Sequence, residues 1–236
     1  DVKDLPEKVV KEAVFGSQFH TICSGGAYLN PDYIELFERF GIQILQGYGM
    51  TECSPVISTT VAWNVKKNSV GQLLPNCEAK TVDGELWVRG SSVMQGYYKM
   101  PEETKTALKD GWLCTGDLGY VDEDRFIYLT GRKKNLIITK NGENVSPEEL
   151  ENKLSSSRLV QEVLVREAKG VIEAEIYPDE EYAKKQGLER EEEVRVELQK
   201  LIDEYNQGAP AYKKIYSLII REKEFEKTAS RKIKRY

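Results

Sequence analysis

The sequence is poor in the residues on which disulfide-bonded, zinc-binding and membrane-spanning proteins rely. Its four cysteines (Cys23, Cys53, Cys77 and Cys114) show no paired spacing, which argues against a disulfide framework and a zinc site and suits a reducing cytosol. The only histidine, His20, stands just before a predicted buried strand, so we interpret it as structural. No apolar run approaches the roughly 20 residues of a membrane helix, and no signal peptide is recognisable. These absences predict a cytoplasmic protein.

A basic surface is missing as well. The net charge of −5 gives no positive field that would attract nucleic acid, so we expect no nucleic-acid partner. With 40% hydrophobic and 31% charged residues the composition is that of an ordinary soluble protein, and 236 residues allow one large domain or two smaller ones. The chain starts at Asp1 rather than at a methionine, and we interpret it as the C-terminal piece of a longer protein.

The N-terminal part of the chain alternates predicted strands and helices. Residues 19–23 form a short predicted strand that ends in SGGA (24–27), where missing side chains would let a flat ring lie against the backbone. Asn30 is a helix cap for residues 31–40, and residues 42–45 are a second predicted strand. The order of strand, glycine, helix and strand indicates an α/β fold.

The segment QGYGMTE (46–52) follows this second strand, and in α/β sheets ligands bind where strands end. Two glycines flank Tyr48, an arrangement that would leave its ring free to stack on a base. Thr51 offers a hydroxyl to a phosphate, and Glu52 can hold a magnesium ion that bridges phosphate oxygens. The alternative interpretation is a turn with one satisfied glutamate.

Residues 111–136 combine a carboxylate and a guanidinium around a predicted hairpin. Thr115-Gly116-Asp117 predicts a tight turn, residues 125–129 predict a strand, and Arg132 follows it within GRKK. A carboxylate accepts two hydroxyl protons at once, so Asp117 suits the two hydroxyls of a ribose. Arg132 suits the same sugar or a nearby phosphate, because its donors form a rigid fork.

Four stretches together resemble the adenylate-forming (AMP-binding) enzymes, which include acyl-CoA synthetases, firefly luciferase and the adenylation domains of peptide synthetases. In chain order they are QGYGMTE (46–52), TGDLG to GRKKN (115–135), NGENV leading into PEELE (141–151), and KTASRKIKR (227–235). Ser54-Pro55-Val56 after the first stretch makes the chain most similar to the C-terminal portion of a long-chain fatty-acid–CoA ligase.

The resemblance implies a fold of mixed α/β and α+β class in two domains. Residues 1–133 would be the end of a large α/β adenylation domain with a small β-barrel-like subdomain at about 68–131. Residues 134–236 would be a small, mobile α+β domain, with Lys134 as the hinge. The alternative for this basic stretch is a solvated turn. In the family the C-terminal domain presents a lysine for adenylation and then swings to present a glycine loop for thioester formation.

The resemblance further implies ATP-dependent conversion of a carboxylic acid, here expected to be a fatty acid, to acyl-AMP, followed by transfer to CoA. ATP or AMP, Mg²⁺ and CoA are the implied cofactors and substrates. Catalytic roles fall to Lys232, Glu52 and Thr51, with Glu52 also as the magnesium ligand. The implied nucleotide- and cofactor-binding positions are Gly25, Gly26, Ala27, Gln46, Gly47, Tyr48, Gly49, Asp117, Arg132 and Gly142.

Some features depart from the family pattern. Arg231 stands where the family has a glycine before the catalytic lysine, and Tyr28 where a proline is common. The Ser/Thr/Gly-rich loop that cradles the β- and γ-phosphates in the family is not in this chain, so we expect that the chain does not adenylate alone.

Three alternatives stay open at this point. The enzyme could load a carrier protein instead of CoA, the chain could be a nucleotide-binding fragment without chemistry, and Lys232 could belong to a solvated basic tail. A membrane surface contact would suit a fatty-acid enzyme, but no residue supports one. The sequence defines neither the acyl chain length nor the oligomeric state.

Overall fold

The computed structural model describes residues 6–229 and 231–235. The chain divides into two compact units, residues 1–130 and 131–236. Each unit has a hydrophobic core of its own. Among the described residues, no helix has both the length and the apolar composition that crossing a membrane requires.

The first unit begins with a four-stranded sheet flanked by helices. Its strands lie in the order β1-β2-β3-β4; the β1–β2 pair is parallel and the following pairs are antiparallel. Asn30 caps α2 as predicted, because its side-chain oxygen accepts a hydrogen bond from the backbone N–H of Asp32 at 2.9 Å. The elements are α1 (Glu7–Phe15), β1 (Thr21–Gly25), α2 (Pro31–Arg39), β2 (Gln43–Gly49), β3 (Val56–Thr59) and β4 (Gln72–Leu73).

Strand β2 is longer than the sequence predicted, because residues 46–49 continue it instead of forming a loop. The glycines in this stretch allow backbones to approach closely. A Cβ atom on Gly25 would lie 2.9 Å from the carbonyl oxygen of Gly47, and one on Gly49 would lie 1.9 Å from that of Pro55. The missing side chains at these glycines therefore allow β2 to pair closely with β1 and β3. They do not leave the ring of Tyr48 free, as the sequence had suggested.

The second half of this unit is a five-stranded sheet that curls into a half-barrel. Its strands lie in the order β5-β6-β8-β7, and β9 also pairs with β8. This sheet and the α/β segment before it confirm the predicted fold class. The elements are β5 (Cys77–Val82), β6 (Glu85–Gly90), α3 (Pro101–Ala107), β7 (Leu108–Lys109), β8 (Trp112–Val121) and β9 (Ile127–Arg132).

The predicted tight turn at residues 115–117 is a bulge inside the long strand β8. Between two regular pairs of the β6–β8 register, the single residue Leu86 faces residues 115–117. Gly116 sits in the bulge with φ +71°, in the left-handed region that glycine adopts without strain. The turn prediction was wrong because pairing with β6 on both sides keeps the chain extended through it. We call residues 115–117 the Asp117 bulge.

The second unit packs two helices on a three-stranded sheet. Strand β12 pairs antiparallel with β13, and β13 pairs parallel with β14, so β12 is an edge strand. Leu150 and Leu154 on α4 and Leu198 and Ile202 on α6 recur at four-residue spacing and are fully buried. The elements are β10 (Ile137–Ile138), β11 (Asn144–Val145), α4 (Pro147–Leu154), β12 (Val160–Ala168), β13 (Val171–Pro178), α5 (Glu180–Lys185), α6 (Glu191–Gly208) and β14 (Ile215–Ile220).

Candidate active-site residues

The first unit brings two of the predicted nucleotide-binding residues into direct contact. The hydroxyl of Tyr48 on β2 donates a hydrogen bond of 2.6 Å to Oδ2 of Asp117 on β8. Both residues are buried, with 8% and 4% of their surface exposed. The structure therefore differs from the expected free ring: Tyr48 packs in the core and holds the carboxylate. The predicted nucleotide contacts of both side chains stay predictions.

The Asp117 bulge fixes the carboxylate through its own backbone. Thr115 Oγ1 donates to the carbonyl of Leu86 at 2.7 Å and accepts from the Asp117 backbone N–H at 3.1 Å. The N–H of Gly116 donates to Glu85 Oε1 at 2.9 Å. Glu85 is 4% exposed, so a buried carboxylate stabilises the extra backbone N–H of the bulge. The role of Glu85 had no sequence signal, since a glutamate after a turn reads as an ordinary surface residue.

The predicted glycine-rich positions lie together at the carboxyl ends of the parallel strands β1 and β2. Gly25 pairs with Gly47, and Gly26 follows at φ +82°. Gly25, Gly26 and Ala27 are exposed, so this edge presents backbone with little side-chain cover. Gln46 is tied down by its backbone N–H, which donates to Thr60 Oγ1 at 2.6 Å. An exposed backbone strip at this end of a parallel pair is a suitable place for a flat ligand.

Glu52 lies in a single helical turn directly after this edge, and a residue that sequence reasoning missed holds its carboxylate. The hydroxyl of Tyr97 donates to Glu52 Oε1 at 2.8 Å. This bond to the carboxylate, and then burial, raise the pKa of Tyr97 above its ordinary value. Thr51 opens the turn and is exposed. The two partners are far apart in sequence, so only the fold reveals that Tyr97 orients Glu52.

Cys53, which follows Glu52, stays a thiol at neutral pH. It is fully buried, and burial raises its pKa to about 11, with further contributions from Cys77 and Glu52. The Cys53 thiol does not suit a nucleophile, which needs a lowered pKa and access to solvent.

Glu52 contributes a single carboxylate to the predicted magnesium site. Within residues 6–229 and 231–235, no cluster of three or more His, Cys, Asp or Glu side chains forms a metal site. Magnesium is commonly held by one or two carboxylates together with substrate phosphates and water. The single carboxylate of Glu52 fits that donor set.

Three further predicted residues lie at the start of the second unit. Arg132 ends β9 and is half-buried, and Lys134 lies in the short turn Lys133–Asn135. Gly142 is exposed at φ +82° in the tight turn between β10 and β11, where its N–H donates to the carbonyl of Thr139 at 2.9 Å. Because Asp117 belongs to the first unit, the convergence of Asp117 and Arg132 stays a prediction, as does the hinge at Lys134.

Lys232 lies on a short antiparallel hairpin, residues 226–234, which we call the Lys232 hairpin. The N–H of Thr228 donates to the carbonyl of Lys232 at 2.8 Å, and the N–H of Lys234 donates to that of Glu226 at 2.8 Å. Arg231 adopts φ +59°, which explains why a glycine suits this position. Ser230 of the motif lies outside the described residues.

The hairpin is not a free basic tail, because three of the five cations of the motif at residues 227–235 are paired. Lys227 pairs with Glu162, Lys234 with Glu226, and Arg235 with Glu151. Lys232 is exposed and forms no ion pair with any residue that the structure describes. Its ammonium group is therefore available for a bound anion.

Family models match most of the chain in two segments. Residues 2–98 match the family described as AMP-binding enzyme, and residues 134–236 match the AMP-binding enzyme C-terminal domain.

Curated relatives include a long-chain-fatty-acid–CoA ligase, FadD15, of Mycobacterium bovis. It is 40% identical over 171 residues, which cover 72% of this chain and 28% of that protein. The long-chain-fatty-acid–CoA ligase of Bacillus subtilis is 37% identical over 63% of this chain and 29% of its own length. The chain thus spans less than a third of each of these relatives.

Solved structures agree with the fold. The o-succinylbenzoate CoA synthetase of Bacillus subtilis, in complex with its acyl-adenylate intermediate, has a TM-score of 0.76 and 27% identity, covering 96% of this chain and 48% of that one. The same enzyme with ATP and a magnesium ion has a TM-score of 0.73 and 29% identity, covering 91% of this chain and 45% of that one.

Proposed function

The chain belongs to the AMP-binding enzyme family, and we propose that the protein containing it is an acid–thiol ligase that activates a fatty acid with ATP and transfers it to CoA. The observation that carries this proposal is the buried Asp117, held by Tyr48 and by its own bulge, on a unit separate from an exposed Lys232 that forms no ion pair within residues 6–229 and 231–235. The first side chain suits a fixed nucleotide site, and the second suits charge stabilisation during reaction.

In the first half-reaction, a carboxylate oxygen of the acid attacks the α-phosphorus of ATP. The bond to the β-phosphate oxygen breaks, and pyrophosphate leaves with its electron pair, giving acyl-AMP. Negative charge develops between the two reacting anions, and a lysine ammonium is a compact cation that stabilises it. Lys232 is the residue that we assign to this role.

Asp117 is assigned to the ribose of the nucleotide. A carboxylate accepts hydrogen bonds from two vicinal hydroxyls, which fixes the sugar and therefore the α-phosphate attached to it. Tyr48 orients the carboxylate from one side with its 2.6 Å bond. The exposed backbone at Gly25, Gly26 and Ala27 would receive the flat adenine ring.

Glu52 is assigned to magnesium, with Tyr97 as the donor that orients its carboxylate. When bound, the ion neutralises phosphate charge during the displacement. Thr51, exposed beside Glu52, is assigned to an α-phosphate oxygen.

In the second half-reaction, the sulfur of CoA attacks the acyl carbonyl and AMP leaves. We assign the turn at Gly142 to this step and the hinge to Lys134, which lies in the exposed turn after β9. Lys134→Pro should lose thioester formation and retain adenylation, since proline restricts the backbone rotation that a hinge needs. Unchanged thioester formation in that variant would contradict the hinge assignment.

The acid is assigned to the fatty acids on the basis of the two curated relatives described above, which are long-chain-fatty-acid–CoA ligases. We further propose that the 236-residue chain alone does not adenylate, because the family's phosphate loop is not among its residues.

The test incubates the protein with its upstream part restored, together with ATP, magnesium, CoA and acids from acetate to oleate, and identifies the products by mass spectrometry. Acyl-CoA from the longer acids supports the proposal. Accumulation of acyl-adenylate without thioester would contradict CoA as the acceptor and favour a carrier protein. Absence of both products with every acid would favour a non-catalytic nucleotide-binding protein. Turnover by the isolated chain would contradict the proposal that it is inactive alone.

A further inference from the structure

Two carboxylates of the second unit attach the Lys232 hairpin to the body of the unit. Glu162, on the edge strand β12, accepts a hydrogen bond from the backbone N–H of Phe225 at 2.8 Å and pairs with Lys227. Its side chain is only 9% exposed. This carboxylate therefore fixes the chain just before the hairpin and at its first strand.

Glu151, on α4, makes the second attachment. Its Oε1 accepts from the backbone N–H of Val165 on β12 at 2.7 Å, and its Oε2 pairs with Arg235. The side chain is 12% exposed, and burial raises the pKa of Glu151 while Arg235 acts in the opposite direction. Glu148 lies 3.7 Å from the same guanidinium. Helix α4, strand β12 and the end of the hairpin are thus joined at one point.

The two attachments lie on either side of Lys232 along the chain. Lys227 precedes it on the first strand of the hairpin, and Arg235 follows it directly after the second strand. The cross-strand hydrogen bonds connect the two strands between these points. A side chain on a hairpin fixed at both ends has a defined position relative to β12 and α4.

The cations of the motif at residues 227–235 fall into two groups, those that have an acidic partner and those that have none among the described residues. Lys227 and Arg235 are paired with acids whose side chains are mostly buried, whereas Arg231 and Lys232 have no acidic partner among the described residues. An acid paired with Lys232 would compete with the anion that it is assigned to stabilise. The arrangement therefore anchors the hairpin through Lys227 and Arg235, while the Lys232 side chain stays exposed.

We propose that Glu151 and Glu162 are positioning residues that hold the Lys232 hairpin so that Lys232 reaches the reacting phosphate. This inference rests on the proposed function, in which Lys232 serves adenylation alone. Their loss should reduce the first half-reaction and spare the second, because thioester formation is assigned to a different part of the same unit.

The test measures both half-reactions in the full-length enzyme. Adenylation is followed by acid-dependent exchange between pyrophosphate and ATP, and thioester formation is followed from supplied acyl-adenylate and CoA. Glu162→Gln and Glu151→Gln remove the charge and keep the side-chain size. Glu226→Gln is the matched control, because it removes the charge from an 85% exposed partner of Lys234. Lys232→Ala is the reference for complete loss of the lysine.

We expect Glu162→Gln and Glu151→Gln to lower adenylation about 10-fold and to leave thioester formation within about 2-fold, since a displacement of about 1 Å can cost up to about 100-fold. Hydrogen exchange of these variants should be faster at the Lys232 and Lys234 amides and unchanged at those of β13. The Glu226→Gln control should match the unmodified enzyme in both reactions.

The experiment distinguishes a wrong role for Lys232 from a wrong positioning role for Glu151 and Glu162. If Lys232→Ala leaves adenylation unchanged, the proposed role of Lys232 is wrong. If Lys232→Ala abolishes adenylation but the two glutamate variants do not reduce it, only the positioning proposal is wrong. Equal losses in both half-reactions, with faster exchange throughout the second unit, would show general destabilisation and would also overturn the positioning proposal.

Discussion

Asp117 and Lys232 are held in place by two different kinds of contact. Asp117 is 4% exposed in a strand interior, where the hydroxyl of Tyr48 bonds its carboxylate and the hydroxyl of Thr115 bonds its backbone N–H. Lys232 is exposed on a hairpin whose flanking cations form ion pairs with the body of the second unit. The buried acid depends on sheet register, and the exposed lysine depends on a few side-chain charges.

This difference matches the roles that we propose for the two side chains. A residue that binds the nucleotide through both half-reactions has to stay fixed, and a sheet interior provides that rigidity. A residue used in only one half-reaction needs a surface position from which it can reach the phosphate and leave it. Changes at each site should therefore differ in size and in kind.

The largest expected effect is the loss of nucleotide affinity in Asp117→Asn. The amide keeps the size of the side chain but loses the charge and half of the acceptor capacity, and hydrogen bonds to charged groups contribute about 1.5–3 kcal/mol each. We expect AMP binding by the full-length enzyme, measured by calorimetry, to weaken about 100-fold. Asp124→Asn is the control, because its side chain is 71% exposed and should leave the affinity unchanged. Equal affinities in all three proteins would contradict the ribose assignment.

A change to the bulge that leaves the carboxylate intact should have a smaller effect. Thr115→Val removes the hydroxyl that bonds Leu86 and the Asp117 backbone, leaving buried polar groups without that partner. We expect a loss of about 1–3 kcal/mol in the free energy of unfolding, measured by urea denaturation. Thr106→Val on the exposed face of α3 removes a comparable hydroxyl and should cost less than about 0.5 kcal/mol. A bulge variant no less stable than this control would show that the hydroxyl does not support the bulge.

In the Lys232 hairpin, a substitution at Arg231 should increase stability instead of reducing it. Arg231 adopts φ +59°, which costs a non-glycine residue about 1–2 kcal/mol, partly offset by the greater freedom of glycine in the unfolded chain. Arg231→Gly should stabilise the hairpin by about 0.5–1 kcal/mol, measured by hydrogen exchange at the Lys232 and Lys234 amides. Arg231→Ala removes the same side chain without relieving the backbone and should show no gain. If both variants stabilised the hairpin equally, the effect would come from loss of the arginine side chain and not from relief of backbone strain.

The smallest expected effect is a change in one tyrosine titration. Tyr97 donates to Glu52, and its raised pKa means that this bond is fully present below about pH 10 and is lost as the pH rises through the raised value. Ultraviolet titration of Tyr97→Phe should lack one tyrosine that ionises above pH 10. Tyr98→Phe is the control, because it removes the neighbouring tyrosine, which is 85% exposed. For each variant, the titration curve is subtracted from that of the unmodified protein. Identical difference curves for Tyr97→Phe and Tyr98→Phe would contradict the Tyr97–Glu52 contact.

The sequence predicted the features that depend on neighbours along the chain. The Asn30 cap is local, since its oxygen bonds an N–H two residues away, and the structure confirms it. The mixed fold class follows from the alternation of patterns and from the family resemblance, and it is also confirmed. Pairing between distant segments was missed. The stretch at residues 46–49 and the Asp117 bulge both have turn-like sequences, but neighbouring strands keep them extended.

The sequence also did not predict which acids pair with the cations of the C-terminal motif. The sequence of the C-terminal motif is compatible with a solvated basic tail, yet Glu162 pairs with Lys227 and Glu151 pairs with Arg235, in each case across more than sixty residues of chain. Tyr97 and Glu52 are likewise brought together only by the fold. No periodicity or spacing rule marks such pairs, because each acid and each base is of a type that usually faces solvent.

The most direct test of the account measures both half-reactions in Asp117→Asn and Lys232→Ala of the full-length enzyme. If the buried acid serves the nucleotide throughout and the exposed lysine serves adenylation alone, Asp117→Asn loses adenylation and also thioester formation from supplied acyl-adenylate. Lys232→Ala loses adenylation by at least about 100-fold and retains thioester formation. Equal losses of the two half-reactions in Lys232→Ala, or full thioester formation in Asp117→Asn, would contradict this division of roles.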